Sequence, residues 1–147
     1  MKDGIVLTNI DKRGVAEVTL NRPDRNNAYN GEMISELIKS FTSLYNNKDV
    51  RLVILKGSGK HFQGGADLEW LKDIGKLNEK QNIEVSRNTA SAIKGLTEFP
   101  KPTIALIHGG CFGGGTGMAA AADIVIASEE SIFSIAEARW GVMAGII

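Results

Sequence analysis

The chain has a single cysteine, Cys111, among its 147 residues. An internal disulfide framework is therefore excluded, and the expectation is a reducing compartment and a cytoplasmic protein. Cys111 stands in an apolar segment with no His or Asp beside it, so it reads as a buried structural thiol. There is no excess of either charge: seventeen Lys and Arg face seventeen Asp and Glu. With no long basic run, nothing suggests a nucleic-acid groove. No apolar run reaches the roughly eighteen residues of a membrane span, so none is expected. The opening Met1-Lys-Asp-Gly4 lacks the apolar core of a secretory signal. No low-complexity tract or linker interrupts the chain, and its length suits one domain with a sizeable core.

What is present is an alternation of strand and helix patterns. Residues 5–10 and 15–20 read as two strands, with Asp11-Lys-Arg-Gly14 as the hairpin turn between them. Residues 21–27 form a polar loop. In 32–44, Met33, Ile34, Leu37, Ile38, Phe41 and Leu44 share one helical face, and Asn30 suits the N-cap. Residues 51–56 are a continuous apolar run, as expected of a parallel strand covered on both faces. The segment 57–71 follows as a second strand's glycine-rich turn and helix start, with Asp67 suited to the first helical turn. Residues 82–99 read as a long helix ended by Pro100 and Pro102. Then come a strand at 103–107, a buried strand at 123–127 and a short extended piece at 132–134. The alternation predicts an α/β fold with parallel strands.

The chain is organised around 104–123. A β-branched run breaks at Gly109 and Gly110, passes through Gly113 to Gly115, and continues in small residues at helical spacing to Ala122. The first N–H groups of a helix lack partners within it, and glycine lets a substrate approach them. A second glycine-rich turn, Gly57 to Asp67, follows another strand. One N–H from each turn would make an oxyanion hole for an enolate-like oxygen. Neither turn is specific alone, and close helix–sheet packing would also explain the glycines. The spacing of a phosphate-binding P-loop is absent. The acidic partner of a dinucleotide fold is also missing after the next strand, although Glu129 and Glu130 lie within reach in sequence.

Five motifs together carry a resemblance. They are Leu20-Asn-Arg-Pro23 with Asn27-Ala28; Phe62-Gln-Gly-Gly-Ala-Asp-Leu68; Ile107-His-Gly with Phe112-Gly-Gly-Gly-Thr-Gly-Met118; Ala122-Asp-Ile-Val-Ile-Ala127; and Phe133-Ser-Ile-Ala-Glu-Ala-Arg-Trp-Gly141. In order and spacing the chain resembles the enoyl-CoA hydratase/isomerase superfamily, close to its methylglutaconyl-CoA hydratase-like branch. The resemblance implies a crotonase-like spiral of ββα units with parallel-rich sheets. It implies an oxyanion hole from the N–H groups of Ala66 and Gly114. Gly64, Gly65, Asp67 and Leu68 would line the CoA end of the substrate, and the polar loop 21–27 would flank the pantetheine and adenine. Glu137 matches a catalytic glutamate poised to move a proton. On residue type alone Glu137 would read as a solvated carboxylate paired with Arg139 or a lysine. The resemblance further implies an acyl-CoA thioester as substrate, coenzyme A only as part of that substrate, no separate cofactor, no metal, and a homotrimer or hexamer.

Two departures bear on function. The second glutamate of two-glutamate hydratases falls at Gly117, which cannot hold or activate water. The chain also stops at Ile146-Ile147 inside an apolar run, whereas the family runs to roughly 250 residues, so it resembles an N-terminal part lacking the C-terminal helices. The expected activity is hydration of a 2-enoyl-CoA. The alternatives are a Δ3,Δ2-enoyl-CoA isomerase using Glu137 alone, and a CoA-binding or assembly fragment with little activity.

Overall fold

A computed structural model describes residues 4–135 together with 137, 141 and 143. The strands β1 (Val6–Ile10) and β2 (Val15–Leu20) form an antiparallel hairpin. Its turn is the expected one: Asp11 accepts from the backbone N–H groups of Arg13 and Val15 through its carboxylate. A short 3-10 turn, Pro23–Arg25, leads to α1 (Gly31–Tyr45), whose N-cap Asn30 accepts from Met33 N at 2.9 Å. β3 (Leu52–Gly57) follows, then α2 (Leu68–Ile74), α3 (Glu79–Thr97) and β4 (Thr103–Ile107). The 104–123 segment continues through β5 (Gly110–Phe112) and α4 (Gly114–Ala120) to β6 (Ile124–Ala127), and β7 (Ile132–Ser134) closes the described order.

Five strands form one sheet in the order β1-β2-β3-β4-β6, and β5 pairs in parallel with β7 in a second. Apart from the β1–β2 hairpin every pairing is parallel. Parallel neighbours need crossovers, and α1, the α2–α3 pair and the β5–α4 segment supply them. The fold is thus α/β with the parallel-rich sheets expected. The core lies between the sheet and α1 and α3. Met33, Ile34, Leu37, Phe41 and Leu44 from α1, with Ala92 and Leu96 from α3, meet Val18, Leu20, Val53 and Leu55.

Three expectations are corrected. β3 alternates between buried and half-buried residues, so only one face is sealed, not both. β6 was expected to be buried, yet all four of its residues are exposed. It is the edge strand of its sheet, and apolar sequence alone cannot reveal that no element among the described residues covers it. The break at Gly109–Gly110 is not only a turn: β5 begins there, paired with a strand more than twenty residues away. Among the described residues no helix is long and apolar enough to cross a membrane. Ala136, Ala138, Arg139 and Trp140 of the last motif, and the apolar end at 144–147, lie outside the described residues.

Candidate active site

The two glycine-rich turns come together backbone to backbone. Phe62 N donates to His108 O at 2.9 Å, Gln63 N to Gly110 O at 3.1 Å, and Phe112 N to Gln63 O at 2.9 Å. A Cβ on Gly65 would stand 3.5 Å from Phe112 O, so the chain after β3 lies in contact with the chain before α4. Gly65 has φ +91°, a left-handed backbone that suits glycine.

The polar loop holds the first turn in place. Asn27 is fully buried; its Nδ2 donates to the carbonyls of Ser58 and His61 at 2.8 Å, and its Oδ1 accepts from Arg22 N at 2.8 Å. Truncating it would strand the buried Phe62 carbonyl, which Nδ2 also reaches at 3.2 Å, at about 1–3 kcal/mol, besides the two part-buried ones. Arg22 donates to Ala28 O at 2.7 Å and pairs with Asp67 at 2.9 Å. The loop expected beside pantetheine and adenine is therefore also a brace beneath the turn.

Ala66 lies in a parallel bridge with Tyr29: Tyr29 N donates to Gly65 O at 2.9 Å, and Asp67 N to Tyr29 O at 2.8 Å. In a trans peptide the C=O and N–H point oppositely. Gly65 O faces Tyr29, so the Ala66 N–H of the same peptide faces away from it, and it donates to no acceptor among the described residues. Gly114 is the first residue of α4 and has no acceptor within the helix. The carbonyl of its own peptide, Gly113 O, accepts from Thr116 N at 2.8 Å, and the Gly114 N–H likewise finds no acceptor among the described residues.

Glu137 abuts the second turn. A Cβ on Gly113 would stand 2.6 Å from Glu137 Oε1, so glycine is required there for the carboxylate to fit. Glu137 Oε2 is buried and has no hydrogen-bond partner among the described residues. Buried polar atoms are almost always paired, so this one is available to a bound group. Burial first, then the charge of Glu137, push the Tyr29 phenol up to about 12, so Tyr29 remains a neutral hydroxyl at physiological pH.

The other expected residues take the following places. Gly64 packs on Asn26, whose carbonyl oxygen would lie 3.0 Å from a Cβ there. Asp67 caps α2 by accepting from Glu69 N at 3.0 Å. Burial opposes its charge, but Arg22 and the backbone N–H groups of Trp70 and Glu69 outweigh that and hold its carboxyl below the usual range. Leu68 opens α2 with an exposed side chain, and Gly117 is buried inside α4. Among the described residues no cluster of His, Cys, Asp and Glu could hold a metal ion. Gln63 and Tyr29 also bond to the first turn, and the sequence marks them weakly. Gln63 stands inside a quoted motif as a polar residue next to Phe62, whereas nothing local marks Tyr29.

Residues 11–147 match the enoyl-CoA hydratase/isomerase family. The peroxisomal Delta(3,5)-Delta(2,4)-dienoyl-CoA isomerase of Arabidopsis thaliana is 35% identical, over 97% of this chain and 54% of its own. The hydroxycinnamoyl-CoA hydratase-lyase of Pseudomonas fluorescens is 32% identical, over 90% and 49%. The crystal structure of an enoyl-CoA hydratase from Shewanella pealeana superposes with a TM-score of 0.93 at 34% identity, covering 97% of this chain and 54% of that one. The chain thus spans about half the length of the curated relatives it matches. A match through both glycine-rich turns, over nearly the whole sequence and with the same fold, means that this chain belongs to the enoyl-CoA hydratase/isomerase family.

Proposed function

We propose that this site hydrates a 2-enoyl-CoA thioester, with Glu137 as the proton carrier and the N–H groups of Ala66 and Gly114 as the oxyanion hole. The observation that carries the proposal is the buried Oε2 of Glu137, unpartnered among the described residues, beside a glycine whose missing side chain makes room for the carboxylate. A buried carboxylate oxygen without a partner is costly in a resting protein and useful to one that binds water or an acidic C–H.

In this reading Glu137 takes a proton from water as the oxygen attacks C3. The π electrons move through C2 onto the thioester oxygen, where the two N–H groups stabilise the enolate. The protonated Glu137 then delivers its proton to C2, and the thioester carbonyl reforms. The net change is addition of one water. One carboxylate suffices because it receives and returns the same proton. Removing a single oxyanion donor typically costs about a hundred- to a thousandfold in rate.

Gly117 favours a second reading: with no second carboxylate at that position, Glu137 could relay a proton between two carbons and shift the double bond instead. The product decides between them. Hydration yields a 3-hydroxyacyl-CoA eighteen mass units heavier, and isomerisation an isobaric enoyl-CoA. In either case Glu137→Gln should keep acyl-CoA binding and lose about a hundred- to ten-thousandfold in turnover. Near-normal turnover in that variant would remove Glu137 from the mechanism.

A further inference from the structure

We propose that Gln63 is a positioning residue that aims and polarises the Ala66 N–H; this rests on the oxyanion-hole reading above. Gln63 is fully buried, yet its carboxamide pairs with no other side chain among the described residues. It pairs with one residue two positions on: Nε2 donates to Gly65 O at 2.8 Å, and Gly65 N donates to Oε1 at 2.7 Å. The carboxamide thus treats Gly65 as a neighbouring strand would.

The peptide geometry gives that pairing its consequence. Gly65 C=O and Ala66 N–H belong to one planar peptide, so whatever fixes the carbonyl fixes the N–H. Gly65 O receives two donors, Gln63 Nε2 and Tyr29 N, which use both of its lone pairs. Donors on the carbonyl draw electron density from the nitrogen and strengthen the N–H as a donor on the far side. Gln63 also joins the two halves of the site. Its backbone pairs with Gly110 and Phe112, and a Cβ on Gly115 would stand 2.6 Å from its Oε1. An apolar residue of the same size would fill the space but leave the Gly65 carbonyl held by Tyr29 N alone.

The test uses butyryl-CoA labelled with 13C at the carbonyl, and S-butyl-CoA, a thioether with no carbonyl oxygen. In the unaltered enzyme the carbonyl stretch of bound butyryl-CoA should fall to lower frequency. In Gln63→Met that shift should shrink, with the Gly114 N–H still in place, and the preference for thioester over thioether should drop about tenfold or more. S-butyl-CoA should still bind within about twofold, and kcat should fall much more than KM changes. Gln63→Leu likewise removes both carboxamide contacts to Gly65, and it decides the matter by the same readouts if the methionine variant does not fold. A folded variant that retains the carbonyl shift and turnover overturns the role of Gln63 while leaving the oxyanion hole standing. Failure of both variants to fold also overturns it, making Gln63 a core residue. Absence of any shift in the unaltered enzyme instead refutes the oxyanion hole itself.

Discussion

Substituting Gly113 by alanine should damage catalysis more than stability. The residue has φ +51° and ψ −123°, a backbone region that side chains disfavour, at a cost of about 1–3 kcal/mol. For a chain of about this size that lowers the melting temperature by about 2–4 °C per kcal/mol. The added Cβ would also stand 2.6 Å from Glu137 Oε1, where ordinary contact begins near 3.4 Å, so the carboxylate must withdraw by roughly 0.8 Å (3.4 − 2.6). A misplacement of about 1 Å at a reacting group costs about a hundredfold in rate. Gly95→Ala is the matched control: it lies within α3 with nothing inside 4 Å of a new Cβ. That change should stabilise by about 0.5–1 kcal/mol and leave turnover unaltered. The assay follows loss of the conjugated thioester absorbance, with melting recorded on the same samples. A Gly113→Ala protein with unaltered turnover and melting temperature would refute the placement of Glu137 against this turn.

The other predictions concern titration, reactivity and association. Thr103 donates to Asp123 Oδ2 through both its N–H and its hydroxyl at 2.8 Å, and these bonds hold the Asp123 carboxyl below its usual range. A lowered folded pKa contributes stability that is present above the ordinary value of about 4 and lost as pH falls through the folded value. Asp123→Asn should therefore flatten the melting temperature against pH below the ordinary carboxyl value of about 4, and an unchanged acid limb would refute the clamp. Burial pushes the Cys111 thiol up to about 11, only partly offset by Thr116. Iodoacetamide at pH 8 should accordingly label the unfolded chain and spare the folded one. Rapid labelling of the native protein would refute this. Ile126 and Ile132, 55% and 62% exposed on β6 and β7, should drive concentration-dependent self-association visible in sedimentation velocity. A monomer at high concentration would refute that expectation.

Local chemistry was legible in the sequence wherever a single element decides it. The α1 stripe, the Asn30 cap, the Asp11–Gly14 hairpin and the 103–107 strand depend on side-chain period, capping and turn preference, and these act over a few residues. The family resemblance was readable for the same reason, since each glycine-rich motif records a close backbone approach at its own position. Pairing across the chain was not readable. β5 is three residues long and has no periodicity, and it exists because Ile132–Ser134 arrives beside it. The exposure of β6 follows from sheet order, not from its apolar residues. The site divides along the same line. Glu137, Ala66 and Gly114, the residues of the proposed site, are singled out by their motifs. That Glu137 presses on Gly113 and that Gln63 grips the peptide bearing the Ala66 N–H depend on contacts between distant segments, and only the tertiary structure brings those segments together.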